Sequence, residues 1–213
     1  MEKYLSSGSL EIATKELRRI IETFLNESMR YFTDILDVSV FADIFLNICR
    51  ILAREKKGLE QDSIGEELQK LVVKDSTSNI SKATVVRAIN WLYHSGIIGF
   101  CGKIVELDIL DFKPGRRCYF MDLGIANFYM TQAGLDKASI NGTLNENYVY
   151  INLVKRLDFP QQIAFETPAF ATYKSGEIDF YVQSLKERTR YVIEVTTGKQ
   201  TGHTANKALF EGK

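Results

Sequence analysis

The sequence lacks both an excess of one charge and a long hydrophobic run. Lys and Arg together number 27 and Asp and Glu also number 27 in 213 residues, so the formal net charge is zero. A balanced chain has no general attraction to nucleic acid, and any DNA contact must come from a local basic surface. No apolar run could span a bilayer and residues 1–10 lack a signal-peptide core, which favours a cytoplasmic protein without a membrane partner.

Cysteine and proline are also scarce, at three residues each. Cys49, Cys101 and Cys118 have no metal-type spacing, and an odd number of scattered thiols is typical of buried residues in a reducing compartment. The phosphate-binding motif Gly-x-x-x-x-Gly-Lys-Ser/Thr is absent as well. We therefore expect no ATP site in this chain.

Residues 1–57 form the first of three predicted regions, a helical segment. Apolar residues recur at helical spacing within 9–57 and predict helices that bury one face. Ser9 is predicted to cap the first of these helices. The two apolar sets are Ile12, Leu17, Ile20, Ile21 and Phe24, and Val40, Ile44, Phe45, Ile48 and Leu52. These stripes indicate core or partner-helix surfaces and not a cofactor site.

Residues 58–121 form the second region, where the element order predicts a winged helix-turn-helix. Two short helices with cap and stop signals are followed by two strands that would form the wing. The predicted elements are a helix from Asp62, a helix between Ser81 and Gly96, and strands at 97–107 and 118–121.

The second of these short helices carries polar residues of the kind that contact bases in the major groove, and the wing carries residues that could contact phosphates. Six basic and three acidic residues lie between positions 81 and 120, so this piece is locally positive. The excess is modest and winged helices also dock proteins, so double-stranded DNA and a protein partner are both expectations. The candidate contact residues are Lys82, Thr84 and Arg87 on the helix and Lys103, Lys113, Arg116 and Arg117 on the wing.

Residues 122–213 form the third region. Positions 122–140 are predicted to be a connector, and the pattern after residue 141 is helix, strand, strand, strand, helix. The predicted elements are a helix at 143–157, strands at 162–173, 176–183 and 190–196, and a last helix at 203–210.

Two of these hydrophobic strands each contain an acid, Asp179 and Glu194. Strict alternation would point Ile178, Phe180 and Val182 to one side and Asp179 and Tyr181 to the other, and a hairpin could then set Asp179 beside Glu194. Neighbouring carboxylates repel each other, and a divalent cation such as Mg²⁺ or Mn²⁺ would remove that conflict. Such an ion can lower the pKa of a bound water and stabilise charge on a phosphate.

Glu146, near the start of the preceding helix, is a further acid that could reach the same place, and Glu177 is a lesser candidate. The alternative interpretation is that acids in strands lie at a sheet edge and simply meet water. The combination is more specific than any single acid: an acid-bearing helix, a Glu-x-Asp strand, and a strand that ends in Ile-Glu-Val-x-x-Gly-Lys.

This combination resembles the PD-(D/E)xK nuclease pattern, and the αβββα order resembles that family's core. The resemblance implies metal ligands at Asp179, Glu194 and Glu146, with Lys199 joining them as a catalytic residue. The pattern requires Lys two residues after Glu194, where this chain has Thr196. Lys199 would then have to reach back from the following turn. The chain also stops at Lys213, where the nuclease-like fold should still have a completed helix and another strand, so we expect the sheet to be short of one strand.

Motifs along nearly the whole chain resemble, in order, the C-terminal half of a bacterial and archaeal family of AAA-type ATPases. That half holds a winged helix and a PD-(D/E)xK-like domain of unknown function, so residues 1–57 would include the tail of the ATPase domain and the first helix of the winged helix. The motifs are Tyr4-Leu-Ser-Ser-Gly-Ser-Leu10, Ile80-Ser-Lys-Ala-Thr-Val85, Cys118-Tyr-Phe-Met-Asp-Leu-Gly124, Gly142-Thr-Leu-Asn-Glu-Asn-Tyr-Val149, Gly176-Glu-Ile-Asp-Phe180 and Val192-Ile-Glu-Val-Thr-Thr-Gly-Lys199.

Three functions follow as expectations from this resemblance and from the residues. The first is a DNA-associated or regulatory region of an AAA-type ATPase with weak or no nuclease activity, which the replacement of lysine by Thr196 favours. The second is an active Mg²⁺-dependent endonuclease, which the retained acids favour. The third is a winged-helix docking module. The expected partners are double-stranded DNA, the missing ATPase domain or another protein, and a homodimer in the absence of that domain.

Overall fold

A computed structural model describes residues 6, 8–32, 38–55, 70, 81–105, 109–111, 117–157, 168–174, 176–184 and 189–196. Within these residues the chain is a mixed α+β protein, as predicted, with five helices and six strands. The helices are α1 Leu10–Met29, α2 Ser39–Glu55, α3 Lys82–His94, α4 Leu123–Gln132 and α5 Lys137–Leu157. The strands are β1 Ile98–Val105, β2 Ile109–Asp111, β3 Arg117–Phe120, β4 Ala169–Tyr173, β5 Gly176–Ser184 and β6 Thr189–Ile193.

The predicted start of the first helix is confirmed, since the Ser9 side chain accepts a hydrogen bond from the Ile12 backbone N–H. The apolar set predicted for α2 is buried as a whole and lies in the main hydrophobic core. The set predicted for α1 is buried only in part, because Ile12 and Ile20 lie on the exposed side of the helix while Ile21 lies in the core.

Helix α3 begins and ends where its signals predict. Ser81 caps its first turn by accepting a hydrogen bond from the Thr84 backbone N–H, and Gly96 follows its end with a φ of 71°, which glycine adopts without steric cost. Trp91 fixes this helix against α1. Its ring stacks on Tyr31 with 4.4 Å between centroids, and its indole N–H donates to the Ser28 hydroxyl.

The prediction of a connector at 122–140 is wrong, because most of this stretch is helical. Asp122 caps α4 by accepting from the Ile125 backbone N–H. The side chain of Asp136 accepts from the backbone N–H groups of Ala138 and Ser139 at the start of α5. Helix α5 therefore begins at Lys137, earlier than the predicted 143.

The strands form one sheet in the order β2-β1-β4-β5-β6, with β3 paired to β1 off this path. Strands β1 and β3, which were predicted to form the wing, do pair antiparallel. Strand β1 also pairs in parallel with β4, so sheet hydrogen bonds cross the predicted boundary between residues 121 and 122. The helices predicted from Asp62 and at 203–210 lie outside the described residues, as does 162–167, so the winged helix and the αβββα core stay predictions.

A register shift in β5 changes which side chains share a face of the sheet. Ala169 pairs with Tyr181 and Ala171 pairs with Ile178, so β5 has one residue more than β4 between these pairs. The strict alternation predicted for β5 is therefore wrong. Phe180 lies in the main core, whereas Ile178 and Tyr181 lie together in the second, smaller core cluster. An extra residue of this kind re-aims the side chains around it.

Candidate acidic site

Arg117, at the start of β3, is a buried cation with carboxylates on two other elements as its partners. It is 3% exposed. Its Nη1 lies 3.4 Å from Glu146 Oε1 on α5 and its Nη2 lies 2.7 Å from Glu177 Oε1 on β5. The guanidinium carbon also lies 4.1 Å from the centroid of the Phe170 ring on β4. A charge this deeply buried needs such partners, since desolvation without them would be costly.

This placement corrects the prediction that Arg117 contacts phosphate from the wing. On β3 the side chains alternate, and Arg117 shares with Tyr119 the face that packs on α5. A nucleic-acid backbone outside the protein cannot reach a guanidinium that is enclosed on that face.

Glu146 is held in place by its neighbours on β3 and on its own helix. The Tyr119 hydroxyl donates a hydrogen bond of 2.8 Å to Glu146 Oε1, and burial, followed by the nearby Glu146 charge, raises the pKa of Tyr119 well above its usual value. The next residue, Asn147, bonds to both backbone groups of Phe120: its amide donates to the carbonyl at 2.6 Å and its oxygen accepts from the N–H at 2.9 Å. This amide clamp fixes α5 against β3, and Glu146 is 6% exposed as a result.

Asp179 is a half-buried acid at the register shift of β5. Its Oδ2 accepts a hydrogen bond of 2.7 Å from the Val195 backbone N–H. Burial, followed by repulsion from the Glu146 charge, raises the pKa of Asp179 to about 6. The hydrogen bond from Val195 and the positive charge of Arg117 act in the opposite direction and lower this pKa. We call Glu146, Glu177 and Asp179, around Arg117, the acidic cluster.

Glu194 lies just beyond the end of β6. Phe180 pairs with Ile193 and Tyr181 pairs with Val192, so one further step in the same register, beyond the last observed pair, would set Glu194 opposite Asp179. Directly opposed residues of an antiparallel pair lie on the same face of the sheet. The observed pairs end at Phe180 and Ile193, so the side-by-side arrangement of these two acids stays a prediction.

The acidic cluster as placed does not fit a divalent metal ion. Both Glu146 and Glu177 are engaged by the Arg117 guanidinium, and one oxygen of Asp179 is engaged by a backbone N–H. Over the part of the chain that the structure describes, no group of three or more His, Cys, Asp or Glu side chains could hold a metal ion.

Lys199, the predicted catalytic lysine, lies outside the described residues, so its reach to the acids stays a prediction. Thr196, which stands where the nuclease pattern has lysine, is exposed. Within the described part of the site, the one cationic side chain shown beside the acids is Arg117, which comes from a different strand.

Of the predicted nucleic-acid residues, the structure describes the side chains of Thr84, Arg87, Lys103 and Arg117. Thr84 is 4% exposed and its hydroxyl lies 2.9 Å from that of Ser81, so its predicted role in reading bases is corrected to one in capping α3. Arg87 is exposed on α3, which leaves it accessible to DNA. Lys103 is half-buried on β1, which lies between β2 and β4 in the sheet. In the strand register its backbone is opposite Asp111 on β2 and Phe170 on β4. Arg116, Lys113 and the side chain of Lys82 lie outside what the structure describes.

Two residues of the site, Tyr119 and Asn147, were not among the sequence candidates. Both lie in motifs that carry the family resemblance, Cys118–Gly124 and Gly142–Val149. A polar residue one position after Glu146 on a predicted helix was the available signal for Asn147. Nothing in the sequence pattern indicated that the Tyr119 hydroxyl would meet a carboxylate.

Comparison with known protein families, with curated proteins and with solved structures finds no match to this chain. Among the described helices, none combines the length and the apolar character needed to cross a bilayer.

Proposed function

We propose that this chain is a DNA-associated regulatory module with a nuclease-like fold, from the AAA-type ATPase family that its motifs resemble, and with weak or no nuclease activity. The observation that carries the proposal is the Arg117 guanidinium between Glu146 and Glu177. Acids that serve a hydrolytic metal must be available to it, and here two of them are paired with an internal cation.

Two features support the proposal. The acidic cluster is built by β3, from the predicted region 58–121, and by α5 and β5, from the predicted region 122–213, so its contacts hold these two regions together. The replacement of the pattern lysine by Thr196 removes the charge that would position or activate an attacking water. Both features favour a nuclease-like site that supports structure over one that cleaves DNA.

An active Mg²⁺-dependent endonuclease is the second candidate, and the β5–β6 register favours it. Asp179 and Glu194 fall opposite each other when the register is extended by one residue. A pair of opposed carboxylates is the beginning of a metal site, provided that a third ligand joins them.

Nicking of supercoiled plasmid in Mg²⁺ or Mn²⁺ separates these two candidates. We expect wild-type protein to nick no faster than buffer, and Asp179→Ala to leave that result unchanged. Metal-dependent nicking that disappears in Asp179→Ala, and persists in the exposed-acid control Glu22→Ala, would establish the endonuclease instead. Titration calorimetry with the same ions and variants gives an independent reading of binding.

Association with DNA is tested on α3, where Arg87 is exposed. We expect fluorescence anisotropy to show binding of a short duplex at low salt. Arg87→Ala should weaken that binding and reduce its salt slope by about one, because one phosphate or base contact is lost. Arg156→Ala, at the exposed end of α5, is the matched control and should have no effect. Wild-type protein that ignores duplex DNA even at low salt would make α3 part of a docking module.

A further inference from the structure

We infer that the first half of α1 is the interface of a homodimer, in which a second copy of this chain lies antiparallel across residues 10–20. Ile12 of each copy contacts Ile20 of the other, and the two Glu16–Arg19 ion pairs lie beside each other at the two-fold axis. This inference is independent of the proposed function, because it involves neither the acidic cluster nor the surface of α3.

The first half of α1 is a stretch of helix without a buried side. Between residues 10 and 20, all of which the structure describes, no residue is buried, and the first buried residue of the helix is Ile21. These residues make three turns of helix, about 16 Å in length. Short helices are marginal in water, and most of their stability comes from the packing of an apolar face. A segment of this kind therefore indicates a partner that covers it.

This segment also exposes large hydrophobic side chains. Leu10, Ile12 and Ile20 are 72%, 46% and 53% exposed. Ile12 and Ile20 lie on one side of the helix, at two successive four-residue steps with Glu16 between them. We call the side that holds Ile12, Glu16 and Ile20 the α1 face. Exposed apolar side chains that are grouped on one surface mark a contact site.

The charges of the α1 face match a second copy of the same face. Arg19 Nη2 lies 2.6 Å from Glu16 Oε1, and the Arg19 side chain is 70% exposed. A two-fold contact sets residue i of one copy against residue j of the other, and j against i. With the axis beside Glu16, Ile12 opposes Ile20 twice, because each isoleucine is four residues from the axis. Arg19 is less than one turn from Glu16, so it lies within reach of Glu16 in both copies.

A second copy fits this segment better than a partner of one charge. Residues 10–22 hold three acidic and three basic residues, so a strongly acidic or strongly basic partner would meet like charge at half of them. The whole chain carries no net charge, so two copies do not repel each other at long range. A contact of three helical turns is small beside the roughly 1,600 Å² that a standard interface buries, so the dimer is weak and forms at micromolar chain concentrations.

The test is sedimentation velocity of wild-type protein, Glu16→Arg and Arg19→Glu at chain concentrations from about 1 to 100 µM. Each variant sets like charges against each other at the axis of its own dimer, so we expect its dimer Kd to rise at least about tenfold. An equimolar mixture of the two variants should dimerise as wild type does, because one copy then carries two arginines and the other two glutamates. Glu27→Arg is the matched control, since it breaks the exposed Glu27–Arg30 pair at the other end of α1 and should leave the Kd unchanged.

The inference is overturned if wild-type protein remains monomeric at about 100 µM, and the α1 face then belongs to a different protein partner. It is also overturned if the two charge variants dimerise as wild type does, or if their mixture fails to restore the dimer. Circular dichroism and Trp91 fluorescence show whether each variant is folded. Should either variant fail to fold, Ile20→Ser replaces it, and a dimer Kd that Ile20→Ser leaves unchanged overturns the inference.

Discussion

Among the residues that the structure describes, Asp179 is an acid whose charge opposes folding. Its folded pKa of about 6 lies above the ordinary carboxyl value of 3.8, chiefly because it is buried and secondly because Glu146 is near. A raised folded pKa means that the folded chain holds its proton more tightly than the unfolded chain. The stabilising contribution is thus fully present below about pH 4 and is lost as the pH rises through about 6.

Asp179→Asn should therefore stabilise the protein at pH 8 and change its stability little at pH 4. Asparagine keeps an oxygen that can accept from Val195 and removes the buried charge, so the expected gain at pH 8 is on the order of 2 kcal/mol. Thermal unfolding of both proteins at the two pH values measures it. Asp136→Asn is the control of opposite sign, because hydrogen bonds from Ser139 lower the pKa of Asp136. A gain for Asp179→Asn that is equal at pH 4 and pH 8 would contradict this account.

The sequence was sufficient to single out the acids but not the cation that pairs with them. Asp179 and Glu194 stand out because each interrupts an apolar strand, and that signal is local. Arg117 follows Arg116 in a run that suggests an exposed basic wing, and its burial depends on contacts with residues 29 and 60 positions away. No local pattern contains that information.

Among elements, helix α5 is the one that organises the site, through the amide clamp of Asn147 on the backbone of β3. Asn147→Ala should lower the free energy of unfolding by about 2–3 kcal/mol, because it leaves the buried N–H and C=O groups of Phe120 without their partner. Asn152→Ala is the matched control: Asn152 bonds only to the carbonyl of Tyr148 on its own helix, and its loss should cost less than about 0.5 kcal/mol. Urea unfolding measures both changes, and equal costs would show that the clamp contributes nothing special.

Helix positions could be predicted where the sequence has both an N-cap residue and apolar residues at helical spacing. Ser9 and Ser81 marked the starts of α1 and α3 correctly because a capping hydroxyl acts on a backbone N–H only three residues away. Helix α4 was missed because Leu123–Gln132 is apolar nearly all round and shows no polar face. The register shift of β5 could not be seen from β5 itself, since it exists only relative to β4.

In the whole molecule, the sheet joins the regions that the sequence separates at residue 121. Strand β1 bonds to β3 along one part of its length and to β4 along another, and its Tyr93–Phe100 contact ties α3 to the same sheet. We therefore expect the described helices and strands to unfold together and not as two independent domains.

Two probes test this cooperativity. Trp91 is the only tryptophan of the chain, so its fluorescence reports on the α1–α3 contact, while hydrogen exchange at the amides of β4 and β5 reports on the sheet. Their unfolding midpoints in urea should coincide. A fluorescence transition that is complete while β4 and β5 remain protected would instead support independent domains. Tyr93→Leu is the control, because it weakens the contact between α3 and β1 and should lower both midpoints together.

The Arg117 guanidinium lies between Glu146 and Glu177, where it serves as the cation of the acidic cluster. The most direct measurement is a crystal structure of wild-type protein soaked in MnCl₂, with anomalous data collected for manganese. We predict that Arg117 bridges the two carboxylates and that no anomalous peak lies within bonding distance of Asp179. An anomalous peak between Asp179 and Glu194, with Arg117 turned away from Glu146, would show instead that a metal ion is the cation of these acids.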